Sequence, residues 1–128
     1  MDYHHDEGIW SKYSRSKAGN VLHAVEYARR AGSKRIIGMS LNPGNFVTNL
    51  QQSMPQLQLA MFKLISHPPN NGVYTELFAG LHPSIMEENN GGWVAPFGKL
   101  EPVRKDLLDI SLCRKYWEWC ETQVTPYM

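Results

Sequence analysis

Residues 13–20 spell YSRSKAGN and lie near the start of the longest helical pattern in the chain. From residue 11 to residue 31, a set of side chains recurs at spacings of three and four, as one face of an α-helix requires. That face consists of Tyr13, Lys17, Val21, Ala24 and Ala28. Gly32 follows two arginines, a pattern typical of a helix C-terminus. The sequence therefore predicts a helix from Ser11 to Ala31.

Two short apolar runs downstream of this helix predict strands. Residues 35–41 (RIIGMSL) form the first run, and the turn signal NPGN follows at residues 42–45. Residues 93–97 (WVAPF) form the second run, which Gly98 ends. Because Pro96 lacks the N–H that a central strand needs, we expect this strand to lie near an edge or to end early.

Helical patterns separate and follow these strands. They span residues 48–66, 73–81 and 105–123. Pro55 argues against one unbroken helix in the first of these segments. An alternation of helices and strands in this order is typical of an α/β fold with a parallel sheet.

The composition is that of a single globular domain comprising residues 1–128. Hydrophobic residues make up 42% of the chain, charged residues 20%, and the net charge is +1. Neither this charge nor any basic–aromatic pattern predicts a nucleic-acid partner. No apolar run approaches the ~18 residues of a membrane span, and the N-terminal residues lack the apolar segment of a secretory signal.

The cysteines indicate a reducing compartment. Cys113 and Cys120 are seven residues apart in a predicted helix, where the rise between them is ~10 Å, too far for a disulfide. Free thiols and the polar N-terminus together predict a cytoplasmic protein.

The first third of the chain is rich in basic residues. They are Lys12, Arg15, Lys17, Arg29, Arg30, Lys34 and Arg35. Two interpretations follow: a solvated helix face, or a site for an anion such as a phosphate or carboxylate.

Tyr13 and Lys17 are the candidate catalytic residues. Four residues apart on a helix, their side chains lie on one face. A lysine ammonium beside a phenol favours the phenolate form, so such a tyrosine can donate or remove a proton at a hydroxyl or carbonyl. The alternative is an ordinary pair of surface side chains.

From Trp10 onward, the chain resembles the short-chain dehydrogenase/reductase family, with the closest likeness to its retinol-dehydrogenase-like branch. The family has a Tyr-x-x-Ser-Lys helix, then a strand, then a Pro-Gly turn followed by a threonine. Here these parts correspond to YSRSK at 13–17, the strand at 35–41, and NPGNFVT at 42–48. Later agreements include NGVY at 71–74 and GGWV at 91–94.

The resemblance implies a role for each matching residue. Tyr13 would be the catalytic acid/base, and Lys17 would tune it and hold the nicotinamide ribose. The backbone after Pro43 and Gly44 would meet the carboxamide, and residues 49–66 would form a lid over a small-molecule substrate. The implied residues for binding NADP or NAD are Tyr13, Lys17, Pro43, Gly44, Phe46 and Thr48. The alternatives are a plain turn at Pro43-Gly44 and a helix N-cap at Thr48.

Several parts of the family pattern have no counterpart in this sequence. It contains no glycine-rich turn for the pyrophosphate, and no serine upstream of the tyrosine to polarise a substrate carbonyl. The expected fold is therefore a truncated Rossmann-like α/β fold, the C-terminal half only, with two short parallel strands and four to five helices. Because the strand at 35–41 loses a neighbour, we expect a second copy in a homodimer, or a rearranged N-terminal segment, to cover its edge.

Three functions are compatible with these observations. The first is an NAD(P)-dependent oxidoreductase with little independent redox activity. The second is a redox-free acid/base enzyme, an isomerase, dehydratase or cyclase of a small apolar substrate. The third is a non-catalytic dimeric binding module. We expect no metal site, since adjacent histidines such as His4 and His5 in a chain terminus are usually solvated.

Overall fold

The computed structural model describes residues 6–32, 36–46 and 55–128. Its architecture is α/β and corresponds to a truncated Rossmann-like fold. The α-helices are α1 (Ile9–Ala31), α2 (Gln56–Leu64), α3 (Gly72–Leu81) and α4 (Ile110–Val124). The strands are β1 (Ser40–Leu41), β2 (Trp93–Ala95) and β3 (Lys99–Glu101). Short 3-10 turns occur at Pro69–Asn71, Glu87–Asn89, Lys105–Leu108 and Thr125–Tyr127.

Helix α1 confirms the helix that the sequence predicted from Ser11 to Ala31. Its buried positions are Gly19, Val21, Leu22, Ala24, Glu26, Ala28 and Ala31. Arg29 and Arg30 occupy the last turn, where a cation interacts favourably with the helix dipole, and Gly32 follows. The burial begins at residue 19, so the first ten residues of the helix extend past the core.

The last predicted helix is interrupted at its start. Residues 105–108 form a 3-10 turn, and α4 begins only at Ile110. The carboxylate of Asp109 accepts hydrogen bonds from the N–H groups of Ser111 at 2.8 Å and Leu112 at 3.2 Å. This N-cap sets the start of the helix, because Asp109 itself has extended backbone angles.

The strands form one three-stranded sheet in the order β1-β2-β3. Ser40 N–H donates to Gly92 C=O at 3.0 Å and Asn42 N–H donates to Val94 C=O at 2.9 Å. Because residue numbers rise together along this pair, β1 and β2 are parallel. A three-residue connection joins β2 to β3, so that pair is antiparallel.

The sequence prediction of strands needs two corrections. Strand β1 is much shorter than 35–41, because the N–H of Gly38 donates to the Asn90 side chain at 2.8 Å and the regular ladder begins only at Ser40. Strand β3 was not predicted, because it has only three residues, all of them exposed, and so short a segment shows no clear period.

The chain forms two compact units. The first comprises residues 1–40, 86–93 and 102–128, and the second comprises 41–85 and 94–101. In the first, α4 packs against α1, and the buried residues include Leu22 and Cys113. In the second, the buried residues include Phe46, Thr75, Val94 and Ala95. Across the described ranges, no helix has the length and hydropathy that crossing a bilayer requires.

Candidate active site

Tyr13 and Lys17 come together on the exposed part of α1. The Lys17 Nζ atom lies 5.4 Å from the centroid of the Tyr13 ring, within cation–π range. Tyr13 is 49% exposed, so its side chain is open to solvent. The ring of Trp10 meets the Tyr13 ring edge-on at 6.3 Å. The pair predicted from the sequence is therefore present, and a ligand in solution can reach it.

The exposure of this pair follows from its place on the helix. Val21 and Ala24 continue the same face of α1 and are 6% and 8% exposed. The face is thus buried along its C-terminal half and open along its N-terminal half. A hydroxyl and an ammonium on an open helix face can bind neighbouring hydroxyl or carbonyl groups of a ligand.

The serine nearest Lys17 does not serve as a partner of the Tyr13 phenol. The hydroxyl of Ser16 donates to the backbone carbonyl of Tyr13 at 2.7 Å. This bond back to the helix is common for serine and directs its hydroxyl to the backbone rather than to the phenol.

The second predicted site element is the Pro43-Gly44 turn. Gly44 has a φ of 110°, and its N–H donates to the Asn42 side chain at 3.0 Å. A Cβ at position 44 would lie 3.2 Å from the Phe46 ring, so both the backbone angle and the space favour glycine. Phe46 is buried and forms an isolated parallel bridge with His67. Since its ring belongs to the core, a ligand here would meet backbone atoms.

The predicted site residues are distributed over both units. Tyr13 and Lys17 belong to the first unit, and Pro43, Gly44 and Phe46 belong to the second. Thr48 lies outside the described residues. Within the predicted lid, the described part begins at residue 55 and contains α2, whose residues are all at least partly exposed.

A cavity of about 300 Å³ in the first unit was not predicted from the sequence. Its lining is Asn20, His23, Ala24, Tyr27, Gly38 and Met39. Asn20, His23 and Tyr27 follow Lys17 at spacings of three, three and four, so helical periodicity places them in one row. The spacing could have shown from the sequence that these three side chains share a face of α1. The cavity itself forms only because residues 38–39 pack close to that face.

Four basic residues of the first third, Lys12, Arg15, Arg29 and Arg30, have carboxylate partners. Glu26 is 1% exposed and accepts hydrogen bonds from Arg29 at 2.6 and 2.8 Å and from Arg30 at 2.7 Å. These hydrogen bonds, of which those from Arg29 have the largest effect, lower the pKa of Glu26 to about 2. Burial acts in the opposite direction, because it disfavours the charged carboxylate. Arg15 pairs with Glu7, and Lys12 pairs with Asp6 at 3.3 Å.

Because these cations already pair with carboxylates, and Arg29 and Arg30 remain partly in solvent, the structure favours a solvated helix face over an anion site. Lys34 and Arg35 lie outside the described residues, as do His4 and His5. In the part of the chain that the structure describes, no cluster of three or more His, Cys, Asp or Glu could hold a metal ion.

Curated relatives match all or nearly all of the chain. The short-chain dehydrogenase/reductase pkfC of Emericella nidulans is 47% identical over 132 residues, which cover 100% of this chain and 42% of the relative. A short-chain dehydrogenase/reductase of Phomopsis amygdali is 37% identical, with the same coverage. The short-chain dehydrogenase/reductase bet4 of Neocamarosporium betae is 34% identical over 91% of this chain and 36% of its own length.

Two other comparisons gave no match. No family model matches the chain. No solved structure matches it. The chain spans less than half the length of the curated relatives it matches. Two of these relatives, both named short-chain dehydrogenase/reductase, align with every part of the chain. This chain belongs to the short-chain dehydrogenase/reductase family.

Proposed function

We propose that this chain carries the proton-transfer residues of an NAD(P)-dependent oxidoreductase acting on a small molecule. The observation that carries the proposal is the Tyr13–Lys17 pair, with Nζ 5.4 Å from the ring centroid on an open helix face. The names of the relatives support the same class of chemistry.

In this proposal Tyr13 exchanges a proton with the carbonyl or hydroxyl oxygen of the substrate. The Lys17 ammonium lies beside the phenol and donates to hydroxyl groups of the ligand. The redox electrons come from the nicotinamide cofactor when it is bound. The Tyr13 hydroxyl and the Lys17 ammonium lie one helical turn apart and can both donate hydrogen bonds. Such a pair fits the hydroxyl groups of a ribose next to the substrate carbon that reacts.

The residues of this chain fit only one end of such a cofactor. A pyrophosphate is usually held by a glycine-rich turn at a helix N-terminus, and this sequence contains no such turn. We therefore propose that the remainder of the dinucleotide site is formed by polypeptide that this sequence does not include. By itself the chain should bind NADPH and NADH weakly.

A chimera tests the assignment of Tyr13. The 132-residue portion of pkfC that aligns with this chain is replaced by residues 1–128, and oxidation of NADPH is followed with a panel of ketones and aldehydes. Tyr13→Phe should lower turnover by about 100-fold or more, because it removes the proton donor. Tyr74→Phe, at an exposed tyrosine on α3, is the matched control and should leave turnover unchanged.

The same chimera tests Lys17. Lys17→Met should both lower turnover and raise the KM for NADPH, since the ammonium is proposed to serve the phenol and the ribose. Full turnover by the Tyr13→Phe chimera would overturn the proposal. Substrate conversion by the isolated chain without any dinucleotide would instead support the redox-free acid/base alternative.

A further inference from the structure

Gly19 is the first buried residue of α1, and it lies close to the Tyr13–Lys17 pair. It follows Lys17 by two residues, so the two positions are ~3 Å apart along the helix axis. Successive residues turn by about 100° around an α-helix, which places Gly19 about 160° around the axis from Lys17 and about 120° from Tyr13. Gly19 therefore lies at the back of the helical turn whose front carries Lys17.

The back of this turn packs against the ring of Tyr116 from α4. A Cβ at position 19 would lie 2.7 Å from Cζ of that ring and 3.1 Å from Cε2. Carbon atoms in ordinary contact are about 3.5–4.0 Å apart, so the absence of a side chain at Gly19 lets the two helices approach about 1 Å closer. Both helices belong to the first compact unit, and this chain alone supplies both sides of the contact.

Other aromatic rings of α4 hold Tyr116 in place. The ring of Trp119, three residues later on the same helix, stacks with the Tyr116 ring at a centroid distance of 6.0 Å and an interplanar angle of 25°. The ring of Trp117 stacks with His23 of α1 at 4.6 Å, and the Arg30 guanidinium lies 4.9 Å from its centroid. Tyr116 therefore meets α1 as part of an aromatic surface that is anchored at several points.

The contact between Gly19 and Tyr116 affects where the turn that carries Lys17 lies. Because Tyr13 and Lys17 project from the front of α1, a shift of the helix away from α4 moves both side chains toward a ligand bound there. Proton transfer requires donor and acceptor within hydrogen-bond distance, and a misplacement of about 1 Å can lower a rate by about 100-fold. A change at the back of the helix can therefore alter the rate without touching the ligand.

We propose that Tyr116 is a positioning residue for the Tyr13–Lys17 pair. Its ring limits how closely α1 approaches α4, and the absence of a side chain at Gly19 permits the distance at which Tyr13 reaches the substrate oxygen. Tyr116 acts through α1 and not on the ligand itself. This inference rests on the proposed oxidoreductase function, and it adds that α4, the last helix of the chain, determines the placement of the helix that carries the proton donor.

Turnover of the pkfC chimera and its solvent deuterium isotope effect test this role. Gly19→Ala should lower turnover per folded molecule by about tenfold, because the added Cβ pushes α1 away from α4. The isotope effect should rise, since a misplaced donor makes proton transfer slower relative to the other steps. Gly80→Ala is the matched control, because a Cβ at this glycine of α3 would meet no atom within 4 Å, and it should change neither quantity.

Tyr116→Ala tests the same contact by removing the ring, and it decides the matter if Gly19→Ala does not fold. This variant should also lower turnover and raise the isotope effect, because α1 loses the ring that fixes its distance from α4. The double variant should lose no more turnover than the worse single variant, since both changes act on one contact. Circular dichroism measures the folded fraction of each chimera.

Two outcomes separate this inference from the proposed function. A folded Gly19→Ala or Tyr116→Ala chimera with unchanged turnover per molecule and an unchanged isotope effect overturns the positioning role. If Tyr13→Phe is inactive in the same series, the proposed function stands and only the positioning role fails. Full turnover by Tyr13→Phe overturns the proposed function and, with it, this inference.

Discussion

The guanidinium of Arg29 donates two hydrogen bonds to the carboxylate of Glu26, one turn earlier on α1, with Nε–Oε2 and Nη2–Oε1 distances of 2.8 and 2.6 Å. Glu26 is 1% exposed, whereas both arginines that bind it remain partly in solvent. A buried carboxylate in this setting is stable as an anion because its partners neutralise it. Their hydrogen bonds hold its pKa at about 2, below the ordinary value of 4.5.

The Glu26 ion pair should make the stability of the chain depend on acid. The pKa is lower in the folded state, so the stabilisation is complete above about pH 4.5 and is lost as pH falls toward 2. Glu26→Gln should cost about 1–3 kcal/mol at pH 7, allowing for the exposure of the arginines. Urea unfolding at several pH values measures this cost. A Glu26→Gln penalty that is equally large at pH 2 and pH 7 would refute this explanation.

Gly19 permits the close approach of α1 and α4. A Cβ at this position would lie 2.7 Å from Cζ of the Tyr116 ring. Gly19→Ala should therefore destabilise the chain by about 1 kcal/mol, because the clash outweighs the better helix propensity of alanine. In a Tyr116→Ala background the same change should be neutral or stabilising. Thermal unfolding of the four proteins measures the coupling, and additive effects would contradict the assigned contact.

Thr75 supports the turn between β2 and β3. Its side chain is fully buried, and its hydroxyl oxygen accepts a hydrogen bond from the Phe97 N–H at 2.9 Å. Phe97 has a φ of 65°, which is uncommon for a residue with a side chain. Thr75→Val keeps the volume but leaves this N–H unpaired, and should cost about 1–2 kcal/mol.

Hydrogen exchange at Phe97 distinguishes the lost bond from altered packing. The Phe97 amide should exchange faster in Thr75→Val, whereas Thr75→Ser keeps the acceptor oxygen and should keep the amide protected. Equal protection of Phe97 in both variants would show that the hydroxyl is not its partner.

Asp109 determines where α4 begins. Its carboxylate accepts from the N–H groups of Ser111 and Leu112, at the end of the helix where such groups have no partner within the helix. Asp109→Ala should destabilise the chain by about 1 kcal/mol, and Asp109→Asn, which retains an acceptor, should recover most of it. Chemical denaturation compares the three. Equal losses for both variants would mean that charge, not capping, is the important property.

The two cysteines of α4 should react at different rates. Cys113 is fully buried, and its thiol donates to the Leu107 carbonyl at 3.4 Å. Burial raises the pKa of the Cys113 thiol, and the negative charges of Glu26 and Asp109 raise it further. Less of the thiol is therefore present as the reactive thiolate. Cys120 is only half-buried. Alkylation followed by mass spectrometry should modify Cys120 first, and modification of Cys113 at the same rate in the folded chain would contradict this packing.

Local periodicity was sufficient to predict α1, α3 and the relation of Tyr13 to Lys17. A helix repeats every 3.6 residues, so spacing alone places side chains four apart on one face. The same reasoning predicted α4 but began it too early, because the 3-10 turn and the Asp109 cap depend on a particular hydrogen bond. Pro55 correctly indicated a break, since α2 begins at the next residue.

The family, the order of the helices and of the first two strands, and the candidate proton-transfer pair could all be predicted from the sequence, because they depend on neighbours along the chain. The length of β1, the existence of β3, the burial of Glu26 and the exposure of Tyr13 became known only from the packed structure. Those features depend on residues distant in sequence: the Asn90 side chain accepts a hydrogen bond from the Gly38 N–H, and packing against other elements buries α1 only from Gly19 onward. Contacts between residues distant in sequence produce no periodic pattern along the chain. They form only when separate segments pack together, so the sequence of one segment does not predict them.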